Sequence, residues 1–490
     1  MQKPPMALVV RLCEMLEDAK VPYCHWKSNN ALERSASGEN DLDLLVSRGA
    51  AVRCVEVLSR MGFKEAEGGA GRRVSGVRDF YGCEPRAERL VHAHVHYQLV
   101  VGHDMTKNVR IPIEEPFVGS AMQGLLFKVP APHYEYVVFV IRMALKHLGW
   151  DAVVSNDRKL KDAEQRELEY LQGRCDMAEV EQILKRHLPY IDSALFKECV
   201  AALRAESSAY ACMKSGRAVQ RALEANARHR FVSDVFRKVV RRWGLRFRRR
   251  IMKSPVRRKF SAGGAMIAIV GGDGAGKTTL VTRLYSWLSG DLCTIMIHMG
   301  KPPESITTKL VRAGLRVGTI FGVYPHLNAM TPYRQEGKGS SFRGRYPWML
   351  REACKARDRY ATYLKGRRYV NRGGIVISDR FPVPQVSLME APVIGRIAKG
   401  GANNRLTRYL MNYERRCYER ITPPELLIVL RLDPEVAVRR KTGEDPIQVR
   451  ARSNEVWEAD WMGSGVHVVD GGMSKDEVLF SIKSLIWSRL

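Results

Sequence analysis

A chain of 490 residues is longer than one compact core usually serves, so two or three domains are expected. Its ten cysteines include no CxxC pair, which argues against a structural zinc or redox site and fits a reducing cytosol. The net charge of +28 is concentrated: between Arg228 and Lys259 there are fourteen Lys and Arg against one acid, Asp234. The N-terminus, Met1 to Lys20, reads as an amphipathic helix broken by Arg11, Glu14, Glu17 and Asp18, not as a signal peptide. No apolar run reaches the roughly 18–20 residues a membrane span needs.

Residues 1–150 read as a mixed α+β domain. After the first helix, 21–26 reads as a strand, Lys27-Ser28-Asn29-Asn30 as a turn, and 40–46 as a second strand. Alternation puts Asp41 and Asp43 on one face and Leu42, Leu44 and Val46 on the other. Paired carboxylates on one strand face can hold a divalent metal or stay solvated. A turn ending in Ser28, followed by Asp41-x-Asp43 on a strand, resembles the nucleotidyltransferase superfamily over about the first 100 residues. That resemblance implies metal binding at Asp41 and Asp43. The family's glycine before the serine is Lys27 here. The stretch best placed for its third carboxylate, His92 to Leu99, offers His92, His94 and His96 but no acid. Active nucleotidyl transfer, a binding domain without turnover, and a histidine site of its own therefore all stay open.

Residues 151–227 are rich in Leu, Ala and Glu and read as a helical subdomain without a motif. In 228–264, a basic linker, Val232, Phe236, Val239, Trp243, Phe247 and Ile251 recur at helical steps. An apolar stripe flanked by arginines suits an anionic membrane surface through 228–259. It equally suits packing on a neighbouring domain. A nucleic-acid arm is not expected, since no recognition motif accompanies the charge.

The remainder, 265–490, alternates apolar strands with helices, which implies a doubly wound parallel sheet with helices on both faces. Met266 to Val270 reads as a buried strand, and a helix follows from Leu280. Between them lies Gly271-Gly272-Asp273-Gly274-Ala275-Gly276-Lys277-Thr278-Thr279, a P-loop in its proper context. Glycines let backbone N–H groups converge on phosphate oxygens, and the helix N-terminus adds donors and a positive dipole end. Lys277 suits the β- and γ-phosphates of ATP, and the Thr278 hydroxyl suits Mg2+. The Gly-, Pro- and Arg-rich stretch 301–345 reads as an irregular excursion.

The P-loop is followed in order by Ala356-Arg357-Asp358-Arg359, Ser378-Asp379-Arg380-Phe381 and Leu432-Asp433-Pro434-Glu435-Val436-Ala437 before Arg439-Arg440. That order resembles the thymidylate kinases over most of 265–490. The resemblance implies ATP and Mg2+ as cofactors, with Asp273, Arg359 and Phe381 at the acceptor nucleotide. It also implies Asp379 and Arg380 at the reacting phosphates, and Arg439 and Arg440, beside Lys441, in a lid over ATP. Pro382 and Pro384 depart from the family's pattern where the base pocket would lie. The expected activity is ATP-dependent phosphorylation of a nucleoside monophosphate, dTMP first. The alternatives are a kinase for a sugar or lipid-linked intermediate of surface-polysaccharide synthesis, and a non-catalytic ATP-binding regulator. The expected partners are a nucleotide or phosphorylated small molecule, an anionic membrane and a second copy of the chain. The expected location is the cytoplasm, peripheral to the inner face of the membrane.

Overall fold

The computed structural model describes residues 4–68, 74–103, 106–149, 152, 159–204, 207–247, 257–321, 346–398 and 404–490. The chain divides into two compact units, Met1–Arg258 and Lys259–Leu490. In the first, strands β1 (Tyr23–His25), β2 (Leu42–Val46), β3 (Lys64–Glu67), β4 (Val77–Gly82) and β5 (Val91–His96) lie in the order β1-β2-β5-β4-β3. The β2–β5 pair is parallel and the other pairs are antiparallel. The alternation of β2 decides the layering. Leu42, Leu44 and Val46 join Val91, Ala93 and Val95 under the helices Ala7–Asp18 and Ala51–Arg60. The opposite face carries Asp43, which registers with His94.

Two hairpins follow, β6 (Leu99–Val101) with β7 (Val109–Ile111) and β8 (Met122–Gln123) with β9 (Lys128–Val129). The helix Pro132–His147 is buried on most of its circumference, as its apolar run Tyr136 to Ile141 requires. It shares one core with residues of Asp162–Gln172, Met177–His187, Ser193–Ala202 and Ala209–Ala222. Asp176, Asp192 and Ser208 cap the last three by accepting from the N–H groups of Ala178, Leu195 and Ala211.

The helix Phe231–Phe247 is turned the opposite way from an ordinary amphipathic helix. Asp234 and Lys238, an ion pair at 3.0 Å, are its buried residues among those described, while Phe236 (68%) and Trp243 (69%) are exposed. Val232, Val239, Val240 and Phe247 are exposed with them. The continuation of the basic segment over 248–256, including Ile251, lies outside the described residues.

The second unit opens with β10 (Lys259–Phe260). Its sheet comprises β11 (Ala265–Gly271), β12 (Thr294–His298), β13 (Ile375–Asp379), β14 (Leu426–Arg431) and β15 (Val466–Asp470). All pairs are parallel, in the order β12-β13-β11-β14-β15. Met266, Ala268 and Val270 pack with Tyr363 and Val370 of the helix Tyr346–Val370 on one face. On the other, the helices Lys277–Ser289 and Lys475–Arg489 meet at Trp287 and Trp487. Ligands in such a sheet bind beyond the carboxyl ends of the strands where the strand order reverses, which here is at β11.

One expectation is corrected. Residues 306–320 of the supposed irregular excursion form the helix Ile306–Ile320. Its start is fixed by Asp358, whose Oδ2 accepts from the Ser305 N–H at 3.0 Å, and by the Ser305 hydroxyl, which accepts from the Thr308 N–H. The rest of that stretch, 322–345, lies outside the described residues. Among the described residues, no helix is long and apolar enough to cross a membrane.

Candidate functional site

The phosphate loop leaves β11 at Gly271 and enters its helix at Lys277. Gly276, at φ +83°, precedes that helix in a left-handed conformation that side chains other than glycine resist. At Gly272, a Cβ would lie 2.7 Å from Ser453 Oγ, so glycine is what lets the helix Pro446–Glu458 close on the loop. Lys277 is buried and curls over the loop, donating to the carbonyls of Gly271 (2.9 Å) and Gly272 (2.6 Å). Burial, with the positive charge of Arg380 added, pushes its ammonium down to about 8. Thr278 and Thr279 are exposed in the first helical turn.

Parallel pairing brings the end of β13 beside the loop, with Ile269 opposite Asp379. Asp379 is 4% exposed, and its Oδ1 has no hydrogen-bond partner among the described residues. Its Oδ2 lies 3.7 Å from His298 Nε2. A buried carboxylate oxygen without a donor and a threonine hydroxyl in the first turn of the loop's helix are each oxygen donors of the kind Mg2+ takes. Arg380 has φ +57°, uncommon for a side chain of its size. It stands between two carboxylates, 3.9 Å from Asp273 Oδ1 and 3.5 Å from Glu390 Oε1. Lys277, Arg380, Phe381, Val383, Val386, Met389 and Glu390 line one recess, so Phe381 belongs to its wall.

Sequence reasoning missed Arg452. Its Nη1 donates to Asp273 Oδ2 at 2.9 Å. Burial would raise the Asp273 carboxyl, but Arg452, Lys277 and Arg380 together hold it below the usual range. Glu390 was missed too. Arg359, expected at the acceptor, is 3% exposed and donates to the Met299 carbonyl (2.7 Å) and to the Tyr418 hydroxyl. Tyr418 in turn donates to the Ala391 carbonyl, so Arg359 backs the turn that carries Glu390. The helix Pro434–Arg440 lies against the loop: a Cβ on Gly274 would be 3.1 Å from the Ala437 carbonyl oxygen and 3.5 Å from Arg440 Cβ. Arg439 and Arg440 are exposed there, and Arg440 donates to the Gly471 carbonyl at 3.3 Å.

A second cluster lies on the sheet of the first unit. The order β2-β5-β4 aligns Asp43, His94 and Asp79 across three strands. Asp43 Oδ1 is 2.8 Å from Lys27 Nζ, 3.1 Å from His94 Nδ1 and 4.0 Å from His96 Nε2. Asp41 instead pairs with His92, at 2.8 Å, and the far nitrogen of His92 reaches Asp79 at 2.9 Å. An acid does therefore stand beside the histidine row, on β4 and not on β5 where the sequence offers none. Burial pulls His94 and His96 down, whereas Asp41 and Asp79 overcome burial to raise His92. Burial would raise Asp43, but Lys27 and His94 outweigh it and hold it well below the usual carboxylate range.

Beside the cluster is a cavity of about 480 Å³ lined by Lys27, Ser28, Asp43, Arg142, Lys146 and Glu167, among others. Ser28 sits at φ +56° and its N–H donates to Glu167 at 3.0 Å, which ties the turn to the helical part of the unit. Nearby, Asn29 donates to Glu135 at 2.9 Å, and burial pushes that carboxyl up to about 7. A folded-state value above the unfolded one of 4.5 means the folded chain holds the extra proton between the two. That contribution to stability is full below the unfolded value and is lost as pH rises through about 7. Glu135→Gln is therefore expected to flatten the fall of the urea midpoint between pH 5 and 8. An unchanged slope would contradict the assignment.

The fold and the site thus define a P-loop α/β unit in the same chain as a mixed α+β unit with a buried histidine–aspartate cluster. No family model matches the sequence. Similar curated proteins include "Uncharacterized ATP-binding protein YghR" of Escherichia coli K12, 28% identical over 221 residues, which are 44% of this chain and 83% of that protein. The protein of the same name in E. coli O6:H1 gives the same figures. "Uncharacterized ATP-binding protein YghS" of E. coli K12 is 26% identical over 218 residues, 44% of this chain and 89% of that protein. Among solved structures, a thymidylate kinase from Candida albicans is 18% identical, with a TM-score of 0.31, covering 46% of this chain and 92% of that one.

Proposed function

We propose that the second unit binds ATP with Mg2+ and transfers the γ-phosphate to a nucleoside monophosphate, dTMP being the first candidate. The observation that carries this reading is the meeting of Lys277 in its P-loop with Asp379 and Arg380 at the end of the adjacent parallel strand. The names of the E. coli relatives support the nucleotide. In the reaction, the bond from the γ-phosphorus to its bridging oxygen breaks, a phosphate oxygen of the acceptor takes its place, and ADP leaves. Such a transfer needs alignment and positive charge more than covalent help. The loop N–H groups cradle the phosphates of ATP, Lys277 and Arg380 face the charge that develops on the transferred group, and Arg439 and Arg440 close from the lid side. Thr278 would hold Mg2+ through its hydroxyl, and the ion would supply further neutralisation of the phosphate oxygens. Asp273 and Glu390 hold the Arg380 guanidinium between them.

ADP release by the full chain with ATP and Mg2+ tests this, run against nucleoside monophosphates, sugars and sugar phosphates. Turnover with a nucleoside monophosphate is expected. Turnover with a sugar alone would replace the acceptor. ATP binding with silence across the panel would favour a regulatory module.

A second reading concerns where the protein works. The outward aromatic face of Phe231–Phe247, with arginines beside it, favours a peripheral site on an anionic membrane and with it a lipid-linked acceptor. The full chain is expected to sediment with phosphatidylserine vesicles, to release as salt is raised, and to lose binding in a Phe236→Ser/Trp243→Ser variant. Equal binding to neutral vesicles, or none at low salt, would contradict it.

A further inference from the structure

The histidine–aspartate cluster of the first unit has a use apart from phosphoryl transfer. Asp43 Oδ1, His94 Nδ1 and His96 Nε2 all lie within 4.8 Å of one another. Their separations are 3.1 Å (Asp43–His94), 4.0 Å (Asp43–His96) and 3.2 Å (His94–His96). The point equidistant from three atoms so spaced is about 2.0 Å from each, the bond length of Zn2+ to imidazole nitrogen and carboxylate oxygen. A cation slightly out of that plane keeps all three bonds and has coordination positions left over.

The surroundings fit as well. His94 turns its other nitrogen toward Asp79 Oδ1 at 3.7 Å, and Asp79 is itself steadied by His92 and by Arg258 at 3.1 Å. A carboxylate behind a ligating histidine fixes the ring's tautomer and direction. His96 is fully buried, and its Nδ1 has no hydrogen-bond partner among the described residues, so its polar contacts are made through Nε2. Asp43 and Lys27 both line the cavity, which gives a route to the cluster. We propose that Asp43, His94 and His96 bind one divalent transition metal of the Zn2+, Fe2+ or Co2+ class, with Asp79 positioning His94. Two imidazoles and one carboxylate select such ions over Mg2+, which prefers an all-oxygen shell. Lys27 shares the metal-facing oxygen of Asp43, so the cation competes with it. Remaining coordination positions suit an anionic oxygen ligand, with Arg142 on the cavity wall.

The test uses the full chain stripped with chelator and titrated with Co2+, read by visible ligand-field absorption. A band that saturates at about one Co2+ per chain is expected, insensitive to excess Mg2+. His94→Asn/His96→Asn is expected to abolish it with the circular dichroism unchanged. Lys27→Met is expected to bind Co2+ more tightly, by removing the competitor. Lys277→Ala, in the other unit, is expected to bind it unchanged. If the double variant does not fold, the ring 15N shifts of the wild-type histidines on adding Zn2+ decide the matter: two rings shifting supports the site, and none shifting overturns it. Absence of the wild-type band, its persistence in a folded double variant, or displacement by Mg2+ would also overturn it.

Discussion

Lys277→Ala is expected to lower phosphoryl transfer by about 10²–10³-fold, the usual consequence of removing one positioned donor from a transition state that spreads charge over phosphate oxygens. The fold should survive, because the ammonium's hydrogen-bond partners are two loop carbonyls, Gly271 and Gly272, and its burial disfavours its charged form. A pH signature accompanies it. In the proposed reaction the free chain meets ATP with Lys277 protonated, so wild-type kcat/KM should fall as pH rises through about 8. In kcat that fall should move to higher pH, since bound phosphates favour the ammonium. Steady-state rates across pH 6–10 check this. A Lys277→Ala variant with undiminished turnover would remove the P-loop from the chemistry.

Arg380 offers the second large effect, because strain and charge meet at one residue. Its left-handed backbone costs roughly 1–2 kcal/mol relative to an ordinary conformation. Its guanidinium is held between Asp273 and Glu390, themselves fixed by Arg452 and by the turn over Tyr418. Arg380→Gly relieves the backbone and deletes the charge, while Arg380→Ala deletes the charge and keeps the strain. Both are expected to lose about 10³-fold or more in kcat, the worth of an arginine facing a transferred phosphoryl group. The glycine variant should be the more stable of the two by about 1 kcal/mol, read from urea midpoints. Equal stability would mean the backbone is not strained. Retained kcat would mean the guanidinium serves the fold alone.

The P-loop could be read from the sequence because its requirements are local: a strand, glycines where the backbone turns left-handed, and a lysine opening the helix. Asp379 and Arg380 were reached through the resemblance to the thymidylate kinases, carried by the run Ser378-Asp379-Arg380-Phe381. Arg452 could not be found that way, since it stands on a helix 179 residues from Asp273 and nothing in its neighbourhood distinguishes it from other arginines. Asp79 stayed hidden for a related reason. Only the order β2-β5-β4 sets it beside His94, and strand order is a non-local property. The histidine row itself was visible as a period of two. The stripe of Phe231–Phe247 was visible as a helical period, but the Asp234–Lys238 pair that turns the polar side inward was not. In 306–320, glycines and arginines suggested a loop, and the anchor that makes it a helix, Asp358, comes from a later segment.

The central claim is that the second unit moves the γ-phosphate of ATP onto an acceptor. Phosphorus NMR of the full chain with ATP, Mg2+ and dTMP follows that atom directly. The account predicts loss of the γ-phosphate resonance matched by ADP and by a new diphosphate on the acceptor, with no free phosphate. Release of inorganic phosphate instead, or an ATP spectrum unchanged with dTMP and with every other acceptor of the panel, would contradict it.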